Sequence, residues 1–123
     1  MSLDLTKGSA YTDKTPYEIW QEIEGVPIYQ GLAIDDLRTV TLAPWNRKGV
    51  LGGFINLMGA GRSCDSYACE IPPKGHTLPE RYLFEELIYV VKGRGATSVW
   101  TESGRKQTFE WQEGSMFSPP LNT

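Results

Sequence analysis

The sequence is poor in the residues that carry most metal, redox and nucleophilic chemistry. Its 123 residues include one histidine, His76, and two cysteines, Cys64 and Cys69. Two cysteines make a poor disulfide framework and their spacing is not that of a CxxC site, so we expect a reducing, cytoplasmic location. No nucleophile lies near the single histidine in the sequence, which argues against a Ser/His/Asp site.

Long apolar runs and clusters of basic residues are also missing. No stretch approaches the roughly 18 apolar residues of a membrane span, and the first five residues lack the basic and apolar regions of a signal peptide. The formal net charge is −3, and the basic residues are scattered along the chain. We therefore expect neither a membrane nor a nucleic acid as a partner.

The composition nevertheless supports a folded core, and the first third of the chain contains one helical signal. Forty per cent of the residues are hydrophobic, which excludes a disordered chain. Residues 1–14 are polar and predict a flexible arm. Thr15 is a suitable helix cap, followed by Pro and by Glu three residues later, which completes a capping box. The sequence predicts a short helix over about 16–24 that ends at Gly25 and packs through Trp20.

The rest of the chain has the pattern of short strands separated by Gly/Pro turns. The spacing of about ten residues is typical of an antiparallel β-sandwich or small barrel, so residues 15–123 are predicted to form one all-β domain with a short N-terminal helix. Glycines within 49–53 and 59–61 are predicted to lie in turns, and Cys69 is predicted in a strand core with Cys64 in a loop. The predicted strands are 37–42, 54–58, 67–71, 84–92, 96–101 and 107–111.

One segment combines polar chemistry with a long apolar run. If residues 80–90 are extended, Glu80, Tyr82 and Glu86 project from one side of a strand, together with Phe84 and Ile88. Both sides are apolar from residue 87 onward, which predicts a central strand covered on both faces.

Glu86 would then lie at the mouth of an apolar interior, where a lone carboxylate is costly. Three outcomes are open: an ion pair with an arginine such as Arg81 or Arg94, a hydrated strand end, or a bound metal. Trp100 and Phe109 on the predicted hairpin could line a small-molecule pocket with Phe84 and Ile88.

Two glycine spacings in this half of the chain match a known family. Glu86 is followed after six residues by Gly93, and Gly114 is followed after five residues by Pro120. Over residues 66–123 the chain resembles the cupin superfamily. The resemblance implies an antiparallel, cupin-type jelly-roll barrel and a homo-oligomer, with a small-molecule ligand in the barrel.

The departures from the cupin pattern concern the metal ligands. Glu80 and Tyr82 stand where the family pattern has histidines, and the later motif histidine would fall beyond Thr123. The resemblance implies a possible divalent metal (Fe, Mn or Zn) held by Glu80, Tyr82, Glu86 and His76. The alternative is that Glu80 and Tyr82 fill the barrel mouth through hydrogen bonds. We also expect a C-terminal segment or a second chain to complete the barrel.

Three functions follow from these alternatives. The first is a metal-dependent, dioxygenase-like oxidoreductase acting on a small organic acid or aromatic compound, with Glu86 as metal ligand or base and Tyr82 as acid or ligand. The second is a metal-free cupin that binds a small molecule without turnover. The third is a structural N-terminal part of a larger two-cupin protein. Cupins share a fold more than a function, so the fold alone does not choose among them.

Overall fold

The computed structural model describes residues 14–61 and 63–123, and the described chain is β-rich with one α-helix. This confirms the β-rich class with a short helix, while the described strands form one four-stranded and two two-stranded sheets rather than a closed barrel. The predicted arm, Lys14 apart, lies outside the described residues. The α-helix α1 is Pro16–Glu24, and the strands are Ile28–Gly31 (β1), Ala43–Trp45 (β2), Val50–Leu57 (β3), Ser66–Glu70 (β4), Ile88–Tyr89 (β5), Arg94–Trp100 (β6), Lys106–Gln112 (β7) and Met116–Phe117 (β8).

The chain divides into two compact units. The N-terminal unit comprises residues up to Ile34 together with Thr41–Leu78, and the C-terminal unit comprises Asp35–Val40 with Pro79–Thr123. Helix α1 has nine residues, and no helix in the described part of the chain has the length and apolarity of a membrane span.

Helix α1 begins and ends where the sequence predicts. The Glu18 amide donates to Thr15 Oγ1 at 3.2 Å, and the Thr15 amide donates to Glu18 Oε2 at 2.7 Å, which closes the capping box. Gly25 ends the helix in the left-handed conformation, with φ of 74°. Trp20 packs edge-on against Phe54, with ring centroids 5.5 Å apart. The predicted helix and its packing residue are confirmed.

Strand β3 is the centre of the N-terminal unit. It pairs antiparallel with β2 and β4 and parallel with β1. Phe54 and Trp45 form its core at 1% and 2% exposure, with ring centroids 5.0 Å apart. Gly52 and Gly53 lie inside β3, so their predicted place in a turn is wrong. A Cβ at Gly52 would lie 2.4 Å from Trp45 Cε3, which explains why a strand here holds glycine.

The predicted strand over 37–42 is wrong. Leu37–Thr39 instead form one turn of 3₁₀ helix because the Asp36 carboxylate accepts a hydrogen bond from the Arg38 amide at 2.9 Å. The next strand, β2, starts at Ala43 and continues through Pro44. Proline has no amide hydrogen to donate and is therefore tolerated in a strand at the edge of a sheet.

In the C-terminal unit the predicted hairpin is confirmed and the predicted central strand is not. Strands β6 and β7 pair over seven residues each around a turn that contains Gly104. The predicted strand over 84–92 is reduced to Ile88–Tyr89, which pairs with β8. Leu87 and Tyr89 are 69% and 57% exposed, so coverage on both faces is wrong. The apolar run 84–92 pairs with β8, which has only two residues and is too short to cover a run of nine residues.

Candidate functional site

Tyr82 and Glu86 form a hydrogen-bonded pair in the loop that precedes β5. The Tyr82 hydroxyl donates to Glu86 Oε1 at 2.9 Å, and both side chains are half-buried. The sequence predicted the two side chains on one side of a strand. The structure does bring them together, but through a turning loop, since residues 80–87 are in no strand.

Backbone and side-chain hydrogen bonds attach this loop to the last residues of the C-terminal unit. Ser118 Oγ donates to the Glu86 carbonyl at 2.7 Å, and the Asn122 amide donates to the Tyr82 carbonyl at 3.0 Å. Arg81 Nε donates to Asn122 Oδ1 at 2.8 Å. The backbone at both ends of the pair is therefore fixed by the segment 118–122, which orients the two side chains.

The environment of Tyr82 keeps its hydroxyl protonated. Burial raises the pKa of Tyr82 well above its ordinary value of 10.0, and the hydrogen bond to Glu86 and the negative charges of Glu86 and Glu80 raise the pKa further. A phenol with a raised pKa acts as a hydrogen-bond donor at neutral pH, not as a phenolate. The Glu80 side chain itself is exposed.

An aromatic stack lies beside the hydrogen-bonded pair. The rings of Tyr82 and Phe84 are nearly parallel, with an interplanar angle of 7° and centroids 4.1 Å apart. Tyr82 therefore covers one face of Phe84. Phe84 is 56% exposed, so part of the residue is accessible to solvent. The site thus combines a phenol–carboxylate hydrogen bond with a partly exposed aromatic residue within five residues of chain.

The other predicted pocket residues fall on two different faces of the unit. Ile88 pairs with Phe117 across β5 and β8, and the Phe109 ring lies edge-on to Phe117 with centroids 5.0 Å apart. On the β6–β7 hairpin, Phe109 pairs with Thr97, and Trp100 lies three positions further along β6, which places it on the opposite face of the hairpin. Lys106 Nζ lies 5.3 Å from the centroid of the Trp100 ring. The structure thus brings Ile88 and Phe109 to one small apolar cluster without Trp100.

The predicted metal ligands do not form one cluster within a unit. His76 is exposed and belongs to the N-terminal unit, whereas Glu80, Tyr82 and Glu86 belong to the C-terminal unit. Across residues 14–61 and 63–123, no three His, Cys, Asp or Glu side chains are placed to hold a metal ion. The protonated Tyr82 hydroxyl is a poor ligand for a cation, so the donor set fits a hydrogen-bonded pair better than a metal. The metal site stays a prediction.

Both cysteines belong to the N-terminal unit. Cys64 is exposed in a loop, as predicted, whereas Cys69 is exposed on β4 and its predicted place in the core is wrong. Strand β4 pairs with β3, and within β4 only Tyr67 and Ala68 are partly buried.

Several residues of the site were not found from the sequence. Phe117 had a usable signal, since Met116 and Phe117 are a short apolar pair between Gly114 and the two prolines. Ser118 and Asn122 had none, because their hydrogen bonds join positions more than 30 residues apart. Arg81, predicted as a possible partner of Glu86, donates instead to Asn122 and, at 2.8 Å, to Glu102.

We compared the chain with protein-family models, with curated proteins and with solved structures. None of the three comparisons finds a match. The cupin resemblance of residues 66–123 therefore stays a prediction from motif spacing.

Proposed function

We propose that this chain is a cupin-like protein that binds a small aromatic compound at the Tyr82–Glu86 pair, without a metal ion. The observation that carries the proposal is the 2.9 Å hydrogen bond from the Tyr82 hydroxyl to Glu86. It satisfies the half-buried carboxylate with a neutral donor, so Glu86 does not need a cation to be stable in the fold.

The same residues supply what a small-molecule site needs. An exposed aromatic face gives apolar contact area, and a few fixed polar groups give orientation. The Phe84 ring provides the first, and the Tyr82 and Glu86 side chains provide the second. The hydrogen bonds from Ser118 and Asn122 hold the loop backbone before a ligand arrives, which lowers the ordering cost of binding.

Two-dimensional amide NMR of the full chain tests this proposal. A panel of neutral, acidic and basic aromatic compounds of low molecular weight is titrated into protein treated with a chelator. We expect at least one compound to give saturable shifts in the amides of residues 82–86. Tyr82→Phe and Glu86→Gln should weaken that binding several-fold.

Tyr89→Phe is the matched control for Tyr82→Phe, since Tyr89 lies in the same unit and is 57% exposed. It removes a hydroxyl outside the pair and should leave the affinity unchanged. Shifts confined to other parts of the chain, or equal affinities in wild type and Tyr82→Phe, would contradict the proposal.

The metal-dependent, dioxygenase-like oxidoreductase is the second candidate. The observation that favours it is that the Tyr82 hydroxyl oxygen lies 2.9 Å from Glu86 Oε1, so two oxygen donors of the kind that Fe or Mn accepts are adjacent. Metal analysis of protein from cells grown with both metals decides the matter. Less than about a tenth of a metal ion per chain rejects this candidate, whereas turnover that a chelator abolishes rejects binding without catalysis.

The homo-oligomer implied by the cupin resemblance also stays a proposal. It is supported by the exposure of Leu87, Tyr89 and Met116, of which Tyr89 and Met116 are register partners on one side of the β5–β8 pair. Light scattering of the purified chain tests it: a mass of 13.8 kDa at micromolar concentration would contradict a stable oligomer.

A further inference from the structure

The C-terminal unit contains a cleft of about 380 Å³ whose lining residues all differ from those of the Tyr82–Glu86 pair. The cleft is lined by Gly93, Arg94, Gln112 and Glu113. We propose that it binds a small zwitterion of the amino-acid type, with the ligand's carboxylate on the Arg94 guanidinium and its ammonium group on the Glu113 carboxylate. This second site is independent of the proposed function.

The β6–β7 hairpin places the polar groups of the cleft together. Arg94 and Gln112 are register partners at the open end of the hairpin, so their side chains project from the same face. Glu113 is the first residue after β7 and begins the next turn. A guanidinium, an amide and a carboxylate from two neighbouring segments therefore line one cleft.

Hydrogen bonds fix the backbone on both sides of the cleft. The Gly114 amide donates to the Val90 carbonyl at 2.8 Å, and the Val90 amide donates to the Ser115 carbonyl at 2.9 Å. The Ser115 amide donates to the Gln112 carbonyl at 2.9 Å, and the Gln112 amide donates to Ser115 Oγ at the same distance. Val90 itself is buried. The turn after β7 is thus tied to the segment that leads into β6, which lowers the ordering cost of binding.

The two charges of the cleft do not neutralise each other. In the part of the chain that the structure describes, no hydrogen bond or ion pair engages the side chain of Arg94 or of Glu113. The charge of Glu113 contributes to the raised pKa of Arg38, but the main cause is Asp36, which accepts two hydrogen bonds from that guanidinium. Opposite charges therefore line one cleft without forming a pair.

A ligand that carries both charges matches this arrangement better than a ligand that carries one. The guanidinium presents a planar fork of N–H donors that fits a carboxylate, and an ammonium group makes charge-assisted hydrogen bonds to a carboxylate. A simple anion is attracted by Arg94 and repelled by Glu113, and a simple cation meets the reverse. The Gln112 amide supplies one more donor and one more acceptor.

Three probes of one chain length separate these charge requirements: at pH 7, 6-aminohexanoate is a zwitterion, hexanoate is an anion and hexylamine is a cation. Each is titrated into the full chain at low ionic strength while the amide shifts of residues 93, 94, 112 and 113 are followed by NMR. Shorter separations of charge are tested with 4-aminobutyrate and glycine, each beside the anion and the amine of its own length. We expect the best zwitterion to bind about fivefold more tightly than its single-charge counterparts, an advantage that salt reduces.

Two pairs of variants locate the effect. Arg94→Gln should reduce the affinity for the zwitterion to that of the amine, whereas Arg105→Gln removes the same charge from the turn between β6 and β7 and should retain the preference. Glu113→Gln should reduce it to that of the anion, whereas Glu110→Gln removes a carboxylate of β7 outside the cleft lining and should retain it. Circular dichroism spectra confirm that each variant is folded.

The outcomes decide this inference separately from the proposed function. Equal binding of every zwitterion and its single-charge counterparts, shifts confined to other residues, or a preference that survives both Arg94→Gln and Glu113→Gln overturns it. Silence from all the probes does the same. The proposed function concerns other residues and aromatic compounds, so none of these results changes its own test at residues 82–86.

Discussion

Replacement of Gly52 by alanine tests the packing of the N-terminal unit most sharply. A Cβ at this position would lie 2.4 Å from Trp45 Cε3, far inside the normal contact distance. Trp45 is 2% exposed, and its ring contacts Phe54 and Tyr67 with centroids 5.0 and 5.4 Å away. The indole is therefore almost fully buried and packed against two other rings, so the added Cβ requires the strand or the core to shift.

The expected loss of stability follows from two opposing effects. Overpacking of a well-packed core costs about 1–3 kcal/mol. Alanine in place of a strand glycine recovers about 0.5–1 kcal/mol, because glycine loses more backbone entropy on folding. We therefore expect Gly52→Ala to lower the free energy of unfolding by about 1–2 kcal/mol, which lowers the urea midpoint by roughly 1 M for a small protein.

Gly59→Ala is the matched control, since Gly59 is exposed and no atom lies within 4 Å of the added Cβ. Its free energy of unfolding should stay within about 0.5 kcal/mol of the wild-type value. Tryptophan signals in the near-ultraviolet circular dichroism spectrum should change for Gly52→Ala only. A Gly52→Ala midpoint equal to that of the control would refute the contact between the strand and the indole.

Three further predictions concern titration and helix capping. Burial and Glu86 raise the pKa of Tyr82, so the protonated hydroxyl stabilises the fold below pH 10.0, and this stabilisation is lost as the pH rises above that value. Urea midpoints should therefore fall less steeply above pH 10 in Tyr82→Phe than in the wild type. Identical slopes in the two proteins would contradict the raised pKa. The hydrogen bond from Arg47 lowers the pKa of Glu24 below its ordinary 4.5, so its stabilisation is present above that pH and is lost as the pH falls through the lowered value. Melting temperatures between pH 2 and 6 should therefore vary less in Glu24→Gln, and an unchanged acid profile would count against the pair. Thr15→Ala removes the acceptor of the helix cap and should cost about 1 kcal/mol in urea unfolding, whereas Thr15→Ser keeps the hydroxyl and should lose much less. Equal losses in both variants would show that the hydroxyl does not stabilise the cap.

The parts of the fold that local interactions determine could be predicted from the sequence. The capping box at Thr15 and the left-handed Gly25 fix both ends of α1 through groups at most three residues apart in the chain. The β6–β7 hairpin was equally predictable, because its strands are joined by a short turn around Gly104. In both cases the residues that form the structure are neighbours in sequence.

The parts that long-range pairing determines could not be predicted. One local interaction was missed as well: alternation suggested a strand over 37–42, but the Asp36 side chain accepts a hydrogen bond from the Arg38 amide, which favours a 3₁₀ turn. The apolar run after Glu86 suggested a central strand, yet its partner β8 is only two residues long. Gly52 was predicted in a turn because the group that leaves no room for a side chain, the Trp45 ring, belongs to another strand.

The candidate site shows the same division. Tyr82 and Glu86 were predicted on one side of a strand, and the structure joins them by a hydrogen bond within a loop. The groups that hold their loop belong to Ser118 and Asn122, which are more than 30 residues further along the chain. Spacing predicts which side chains share a short segment, but it does not predict which distant backbone groups fix that segment.

The central claim is that the Tyr82–Glu86 pair binds a small aromatic compound without a metal ion. Amide NMR of chelator-treated protein, titrated with the aromatic panel, measures this most directly. The geometry predicts saturable shifts at residues 82–86 that are weakened in Tyr82→Phe and unchanged in Tyr89→Phe. Binding that occurs only after Fe or Mn is added, or that leaves residues 82–86 unshifted, would contradict the claim.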